Sequence, residues 1–435
     1  MYIIGDNIIS ALGFTTGENY FAAKQGVSGI KCYDVSTFGL SEPFMASLVN
    51  KERLNDEFAK LSSENKYTQL EKAAILSVFF ANKETHIDLS NNRTLFILST
   101  TKGNIDLLDG IRVKNFSPLQ IYLWHIAELI AGFFGNPNAP VVVSNACISG
   151  AAAQIVAHRA LASEKYDYAV VVGVDFLSKF IISGFQSFKA LSPELCRPFD
   201  KNRCGLNLGE AAATMIMGKE KGERRKEKNN TLSPYFQKAP LVAEEINTLN
   251  PDFQEAPLVA FRYISGAVRN DATHISAPSR TGEGSFRALN AILNSPFSFL
   301  PSPSTPFTPH PSPLTPHLAF INAHGTATSY NDAMEMNAIA RAGLADVPVN
   351  ALKSYFGHTL GAAGVVETII SMQALNEGMV LKTLGFEEIE PVTMNNEQFT
   401  LEVCKENRAT DKNCFIKLMS GFGGVNAALI YEKFV

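Results

Sequence analysis

The residues best suited to chemistry in this sequence are one cysteine and two histidines, each set among glycine and alanine. Cys147 follows the β-branched run Val141-Val142-Val143 and precedes the alanine-rich run Ser149 to Ala157. That pattern places it where a strand turns into a helix. Unpaired N–H groups at a helix N-terminus favour a thiolate, so Cys147 is expected to be the cysteine most readily alkylated near neutral pH. The small neighbours Ala146, Ser149 and Gly150 leave room for a substrate. Taken alone, the segment reads more readily as a buried structural cysteine, because a free thiol packs as a small apolar group. His324 lies in Ile321-Asn322-Ala323-His324-Gly325-Thr326-Ala327-Thr328, and His358 lies between Lys353 and Gly361-Ala362-Ala363-Gly364. Each follows a strand-like run, and either one alone reads as readily as a satisfied core or loop histidine. Together, one thiol and two imidazoles make a nucleophile with acid–base partners. No pair has metal-ligand spacing and there is no Cys-x-x-Cys, so no metal is expected.

The elements that must position these residues alternate along the chain. Leu95-Phe96-Ile97-Leu98, Val141 to Val143, Ala169 to Val174 and Thr214 to Met217 read as strands; Gln69 to Asn82, Pro118 to Phe134 and Ser149 to Ser163 read as helices. This is an α/β pattern with mostly buried sheets. At 435 residues the chain is long enough for two or three domain-sized units. Hydrophobic content of 46% and charged content of 18% fit a soluble globular protein. A net charge of −4 and a pI near 6.1 argue against nucleic acid as a partner. Six cysteines without regular spacing suggest a reducing compartment. The N-terminus has no signal-peptide shape, and the apolar stretch Ile121 to Gly135 is too short to span a bilayer. That stretch reads as a buried helix or subunit interface, and the expected location is the cytoplasm.

The motifs in order resemble the β-ketoacyl-ACP synthases, the elongating condensing enzymes of the thiolase-like superfamily. Asn145-Ala146-Cys147 is similar to the nucleophile motif. Arg197-Pro198-Phe199-Asp200 to Gly205 and Leu208-Gly209-Glu210 are similar to the segment after it. His324-Gly325-Thr326-Ala327-Thr328 with Asp332 and Glu335 resembles the first histidine motif, and Lys353, His358 and Gly361 to Gly364 the second. Gly421-Phe422-Gly423-Gly424-Val425-Asn426 resembles the glycine-rich C-terminal loop. Thiolases have a second cysteine near the C-terminus; Cys414 stands before the glycine loop in a strand-like run and does not match it.

The resemblance implies a thiolase-like fold of two similar halves in α-β-α-β-α layers. One half would span 1–260, with a surface insertion at about 222–250; the other would span 261–435, with a Pro-rich loop at about 295–317. The insertion contains a near-repeat, Pro234 to Ala243 against Pro251 to Ala260. The implied reaction is decarboxylative Claisen condensation of an enzyme-bound acyl thioester with malonyl-ACP, in fatty-acid or specialised polyketide assembly. Cys147 would carry the acyl group, and His324 and His358 would hydrogen-bond the enolate. Lys353 and Glu335 would form a charged pair orienting the histidines. The N–H groups of Cys147 and Phe422 would form the oxyanion hole, with the Phe422 ring gating the acyl pocket, and Thr326 and Thr328 would bind the phosphopantetheine arm. No cofactor is implied beyond that arm of the acyl carrier protein, which is the expected partner. A homodimer is implied, with a heterodimer open. Ser420 stands where a phenylalanine is common, and Lys102 interrupts a usual glycine-rich stretch. These departures look more like synthases of specialised pathways such as aryl-polyene assembly, with housekeeping elongation still open. The alternative is a non-catalytic, chain-length-factor-like subunit, which would typically lack Cys147.

Overall fold

The computed structural model describes residues 1–83, 85–109, 116–219, 260–295, 315–394 and 397–434. The expected insertion at 222–250, the near-repeat up to residue 259 and residues 296–314 of the Pro-rich loop lie outside the described residues. A ten-stranded sheet forms the centre. Its strands are β1 (Tyr2–Ser10), β2 (Thr94–Ser99), β3 (Val141–Val143), β4 (Tyr168–Asp175), β5 (Ala211–Gly218), β6 (Ala260–Asn270), β7 (Leu318–Asn322), β8 (Val349–Asn350), β9 (Cys414–Gly421) and β10 (Val425–Phe434). Their order is β8-β7-β9-β10-β6-β1-β5-β4-β2-β3.

That order resolves into two halves with one plan. In the first, β1 pairs antiparallel with β5, β5 antiparallel with β4, β4 parallel with β2, and β2 parallel with β3. In the second, β6-β10-β9-β7-β8 repeats the same directions in the same sequence. The halves join where β1 meets β6 antiparallel, through Tyr2 opposite Arg262 and Ile3 opposite Phe261. The expected two similar halves are therefore present, although no sequence repeat announces them.

The helices are α1 (Thr16–Lys24), α2 (Lys51–Leu61), α3 (Gln69–Lys83), α4 (Leu123–Phe133), α5 (Ser149–Ala162), α6 (Lys179–Ser187), α7 (Glu283–Leu293), α8 (Ser329–Arg341), α9 (Lys353–Phe356) and α10 (Ala363–Asn376). α3 packs on β5, β1 and β4, while α7 packs on β6 and β10. Between them, α5 and α10 pack on each other and on strands of both halves. α10 is apolar on nearly every face because it is buried on nearly every face. The expected helix Pro118 to Phe134 is broken: a 3₁₀ turn covers Pro118–Ile121, extended Tyr122 follows, and α4 starts at Leu123. Only one face of α4 is buried (Ile126, Ala127, Ile130, Ala131), while Tyr122 and Trp124 stack on each other at the surface.

α5 and α10 meet at their N-termini, backbone against backbone. A Cβ on Gly364 would lie 2.5 Å from the Ala151 nitrogen, and one on Gly150 2.9 Å from the Val365 nitrogen. Neither neighbour is a flexible side chain, so Gly364→Ala should force the helices apart. The expected cost is about 1–3 kcal/mol, read as a lower urea midpoint. Catalysis should fall with it, because Cys147 and His358 ride on these two ends. An unchanged midpoint would show that the contact is not limiting.

Candidate active site

Cys147 sits beyond the carboxyl end of β3 on a turn held in a costly shape. Ala146 has a φ of 46°, a left-handed conformation that a side-chain-bearing residue rarely adopts. The Ser149 hydroxyl holds the turn by accepting the Asn145 N–H at 2.7 Å and donating to the Ala146 carbonyl at 2.6 Å. α5 begins immediately after, with Ile148 as its cap.

The turn between β9 and β10 lies against this cysteine. Gly423 and Gly424 have φ of 89° and 70°, which lets the chain reverse in three residues. The Phe422 N–H faces the Cys147 thiol closely enough to favour its thiolate slightly. A Cβ on Gly421 would sit 3.1 Å from the Cys147 nitrogen, so only glycine lets this turn approach so closely. The Phe422 ring is 40% exposed and packs on Phe185 and Phe188 at the end of α6, with centroids 5.9 and 5.5 Å away.

His324 lies just beyond β7 and His358 just before the turn into α10. Their rings meet edge to face with centroids 5.0 Å apart. The Cys147 Sγ and a nitrogen of each imidazole all lie within 4.8 Å of one another, and all three residues are buried. Burial, then the Lys353 ammonium, holds both imidazoles well below their ordinary pKa of 6.5. They are neutral at physiological pH. His358 Nδ1 accepts the Leu360 N–H at 3.3 Å, which leaves the proton of the neutral ring on Nε2. A thiol and two imidazoles are also a chemically possible zinc set, but the two buried ammonium groups behind them disfavour a dication.

The backbone carrying His324 is held from both sides. The Glu335 carboxylate accepts the His324 and Gly325 N–H groups, each at 2.7 Å. Asp332 accepts the Thr326 N–H at 3.0 Å and the Phe199 N–H at 2.7 Å, so it ties the histidine loop to the segment after Cys196. Burial and the neighbouring Asp332 push the Glu335 carboxyl up, while the two N–H donors pull it down. Lys353 Nζ donates to the His324 carbonyl at 2.6 Å.

The expected Lys353–Glu335 pair is not formed. Lys353 pairs with Glu367 of α10 at 2.7 Å, and Lys417 of β9 pairs with the other oxygen of the same carboxylate. Glu335 instead binds backbone N–H groups, because it projects from α8 beneath the loop rather than toward α9. Thr326 and Thr328 do lie together, hydroxyl to hydroxyl at 2.9 Å, and Thr328 caps α8 by position without a side-chain cap bond. Its hydroxyl is therefore not committed to the turn. His274 lies exposed, its Nδ1 accepting the Ser276 and Ala277 N–H groups.

Sequence reasoning missed Glu367, Lys417 and Asp175. Each is a lone charge in an apolar run: Val365-Val366-Glu367-Thr368-Ile369, Phe415-Ile416-Lys417-Leu418-Met419 and Val172-Gly173-Val174-Asp175-Phe176. That isolation was the available signal, since an unpaired buried charge is costly. Asp175, at the end of β4, accepts the Thr100 hydroxyl at 2.8 Å, the Thr101 N–H at 2.9 Å and the Gly361 N–H at 2.7 Å. It thereby fixes the loop after β2 to the turn that follows His358.

A cysteine on a strand-to-helix turn beside two buried imidazoles, on duplicated α/β halves, is the arrangement the sequence led one to expect of a condensing enzyme. The sequence matches the beta-ketoacyl synthase N-terminal domain over residues 27–222 and the beta-ketoacyl synthase C-terminal domain over 315–387. The chain belongs to the beta-ketoacyl synthase family, and it is an acyltransferase. It is 28% identical to 3-oxoacyl-[acyl-carrier-protein] synthase 2 of Vibrio harveyi, over 99% of this chain and 98% of that protein. It is 25% identical to a putative mitochondrial 3-oxoacyl-[acyl-carrier-protein] synthase of Schizosaccharomyces pombe, over 100% of this chain and 99% of that one. In fold it is similar to a ketosynthase of Xenorhabdus doucetiae solved with its chain length factor, at a TM-score of 0.77 and 20% identity over 99% and 97% of the two chains. No helix among the described residues is long and apolar enough to cross a membrane.

The thiol differs from its expected state. Burial pushes Cys147 up to about 11, although the ammonium groups of Lys353 and Lys102 and the Phe422 N–H act in the opposite sense. Cys32 and Cys204 are exposed and should be alkylated first. Because the pKa is raised, the thiolate is scarce at neutral pH and grows about tenfold per pH unit. Inactivation by iodoacetamide should therefore keep rising from pH 7 to beyond pH 9. A plateau below pH 8 would mean a thiolate in the resting site.

Proposed function

We propose that the chain performs decarboxylative Claisen condensation with malonyl-ACP, with Cys147 as nucleophile and His324 and His358 as the enolate site. The observation that carries this reading is the convergence of one thiol and two neutral imidazoles within 4.8 Å, with a backbone N–H aimed at the sulfur. Acyl-ACP delivers its acyl group to Cys147: the new S–C bond forms as the phosphopantetheine thiol leaves with the proton of Cys147. The Cys147 and Phe422 N–H groups would stabilise the tetrahedral oxyanion, being fixed before the charge develops. Malonyl-ACP then enters along Thr326 and Thr328, whose hydroxyls suit the amides of the arm. Its C–C bond to the carboxylate breaks, CO2 departs, and the electrons reside on the enolate oxygen between the histidines. The enolate carbon attacks the Cys147 thioester, and the Cys147 thiolate leaves and is reprotonated. Neutral imidazoles suit this step: an imidazolium would pair with the carboxylate and stabilise the ground state that has to lose it. The non-catalytic subunit reading is not favoured, because nucleophile and both histidines are retained together.

Cys147→Ala should abolish condensation yet retain release of CO2 from malonyl-ACP. His324→Ala or His358→Ala should slow that release at least ~100-fold, and a wild-type rate in either variant would remove it from the enolate site. In the Cys147→Ala protein, CO2 release should stay level from pH 8 to 6, because both imidazole pKa values lie well below 6.5. A fall centred near pH 6.5 would contradict neutral, buried rings.

The partner is an acyl carrier protein, and the working assembly is a homodimer. Among the described residues β3 ends the sheet with one edge unpaired, and its three valines are only half buried. An open apolar edge strand invites pairing with a second copy. Light scattering should give twice the chain's 47.4 kDa. A fully active monomer would refute the assembly, and activity only with a second synthase-like chain would replace it by a heterodimer.

A further inference from the structure

Lys417 sits in the middle of β9 between Ile416 and Leu418, fully buried, and its ammonium is heavily engaged. It donates to Asn322 Oδ1 at 2.6 Å, to the Ala323 carbonyl at 3.2 Å and to one oxygen of Glu367. The other Glu367 oxygen takes Lys353, which also holds the His324 carbonyl. Two consecutive carbonyls, those of Ala323 and His324, are thus each bound by an ammonium. The N–H groups of His324 and Gly325 are bound by Glu335. Two ammonium groups share the Glu367 carboxylate in a buried layer beneath the imidazoles, with the Glu335 carboxylate near Lys417. A strand of Ile, Leu and Met would pack well without a lysine, so its burial calls for another reason.

We propose that Lys417 is a positioning residue: it fixes the backbone that carries His324 and supplies a second positive charge, beside that of Lys353, behind the imidazole pair. The role rests on the condensing reaction assigned above. Decarboxylation gathers negative charge on the enolate oxygen, and a fixed positive charge behind its two donors favours that charge. The same charge opposes protonation of His324 and His358; Lys353 and Lys417 both depress these rings. The titratable groups around the rings are Lys353 on α9, Glu367 on α10, Asp332 and Glu335 on α8, Cys147 before α5, Asp175 at the end of β4, Lys102 in the loop after β2 and Lys417 itself.

The test uses the full chain carrying Cys147→Ala, which removes thiol titration, and follows CO2 release from malonyl-ACP against pH. Lys417→Met should slow release at least about tenfold and move the acid limb up by about one pH unit. Lys417→Gln keeps hydrogen-bond donors but no charge, and it should show the same shifted limb. A slower rate with an unmoved limb would reduce Lys417 to packing and overturn the proposal. A parent-like profile in Lys417→Gln would overturn the charge role in favour of hydrogen bonding alone. If neither variant folds by circular dichroism, the Cys147→Ala parent is titrated upward instead. Burial holds Lys417 below the ordinary lysine range, so release should decline before pH 10, and a level rate to pH 10 would overturn the proposal. A parent that releases no CO2 at any pH would overturn the condensing reaction itself and this role with it.

Discussion

The site depends first on how closely two helix ends can approach. α5 carries the nucleophile on its leading turn, and α10 follows the turn that bears His358. Gly150 and Gly364 let these ends touch through backbone atoms alone. Gly361 adds a third constraint, since a Cβ there would lie 2.8 Å from both Thr100 and the Asp175 carboxylate. That carboxylate collects N–H groups from both the loop after β2 and the turn after His358. Small residues and one shared acceptor thus determine how far the thiol stands from the imidazoles, and no long side chain has to span the gap.

Electrostatically, the thiol and the two imidazoles are kept neutral and the charges stand one layer back. Burial holds the thiol protonated and the imidazoles deprotonated. The charged side chains stand behind them: Lys353, Glu367 and Lys417 are bonded to one another, and Glu335, Asp332 and Asp175 accept backbone N–H groups. A site arranged this way has little to reorganise when charge appears on the substrate oxygen.

Much of this arrangement was legible in the sequence. The strand-to-helix position of Cys147 followed from three valines before it and alanines after it, and β2, β4 and β5 followed from continuous apolar runs, as expected of strands covered on both faces. The histidine loops and the glycine turn were legible as motifs. The Lys353 partner was not, because Glu335 and Glu367 are equally reachable in sequence and only the facing of α8 and α10 separates them. The setting of the thiol was legible only in part: a helix N-terminus is visible in sequence, but the depth of burial that opposes it is not. The break before α4 escaped notice because Tyr122 continues the apolar pattern while its backbone is extended.

The seam between the halves carries a consequence about symmetry. β1 and β6 occupy the same position in their respective halves, and they pair with each other, antiparallel. Contact between equivalent surfaces is the geometry by which two identical subunits meet. The single chain is thus arranged as a pair of like units joined at that seam, and the loops beyond β2 and β7 occupy equivalent places, as do the segments leading into α5 and α10. Equivalent places nevertheless hold unlike chemistry: a thiol stands ahead of α5 in one half and an imidazole ahead of α10 in the other.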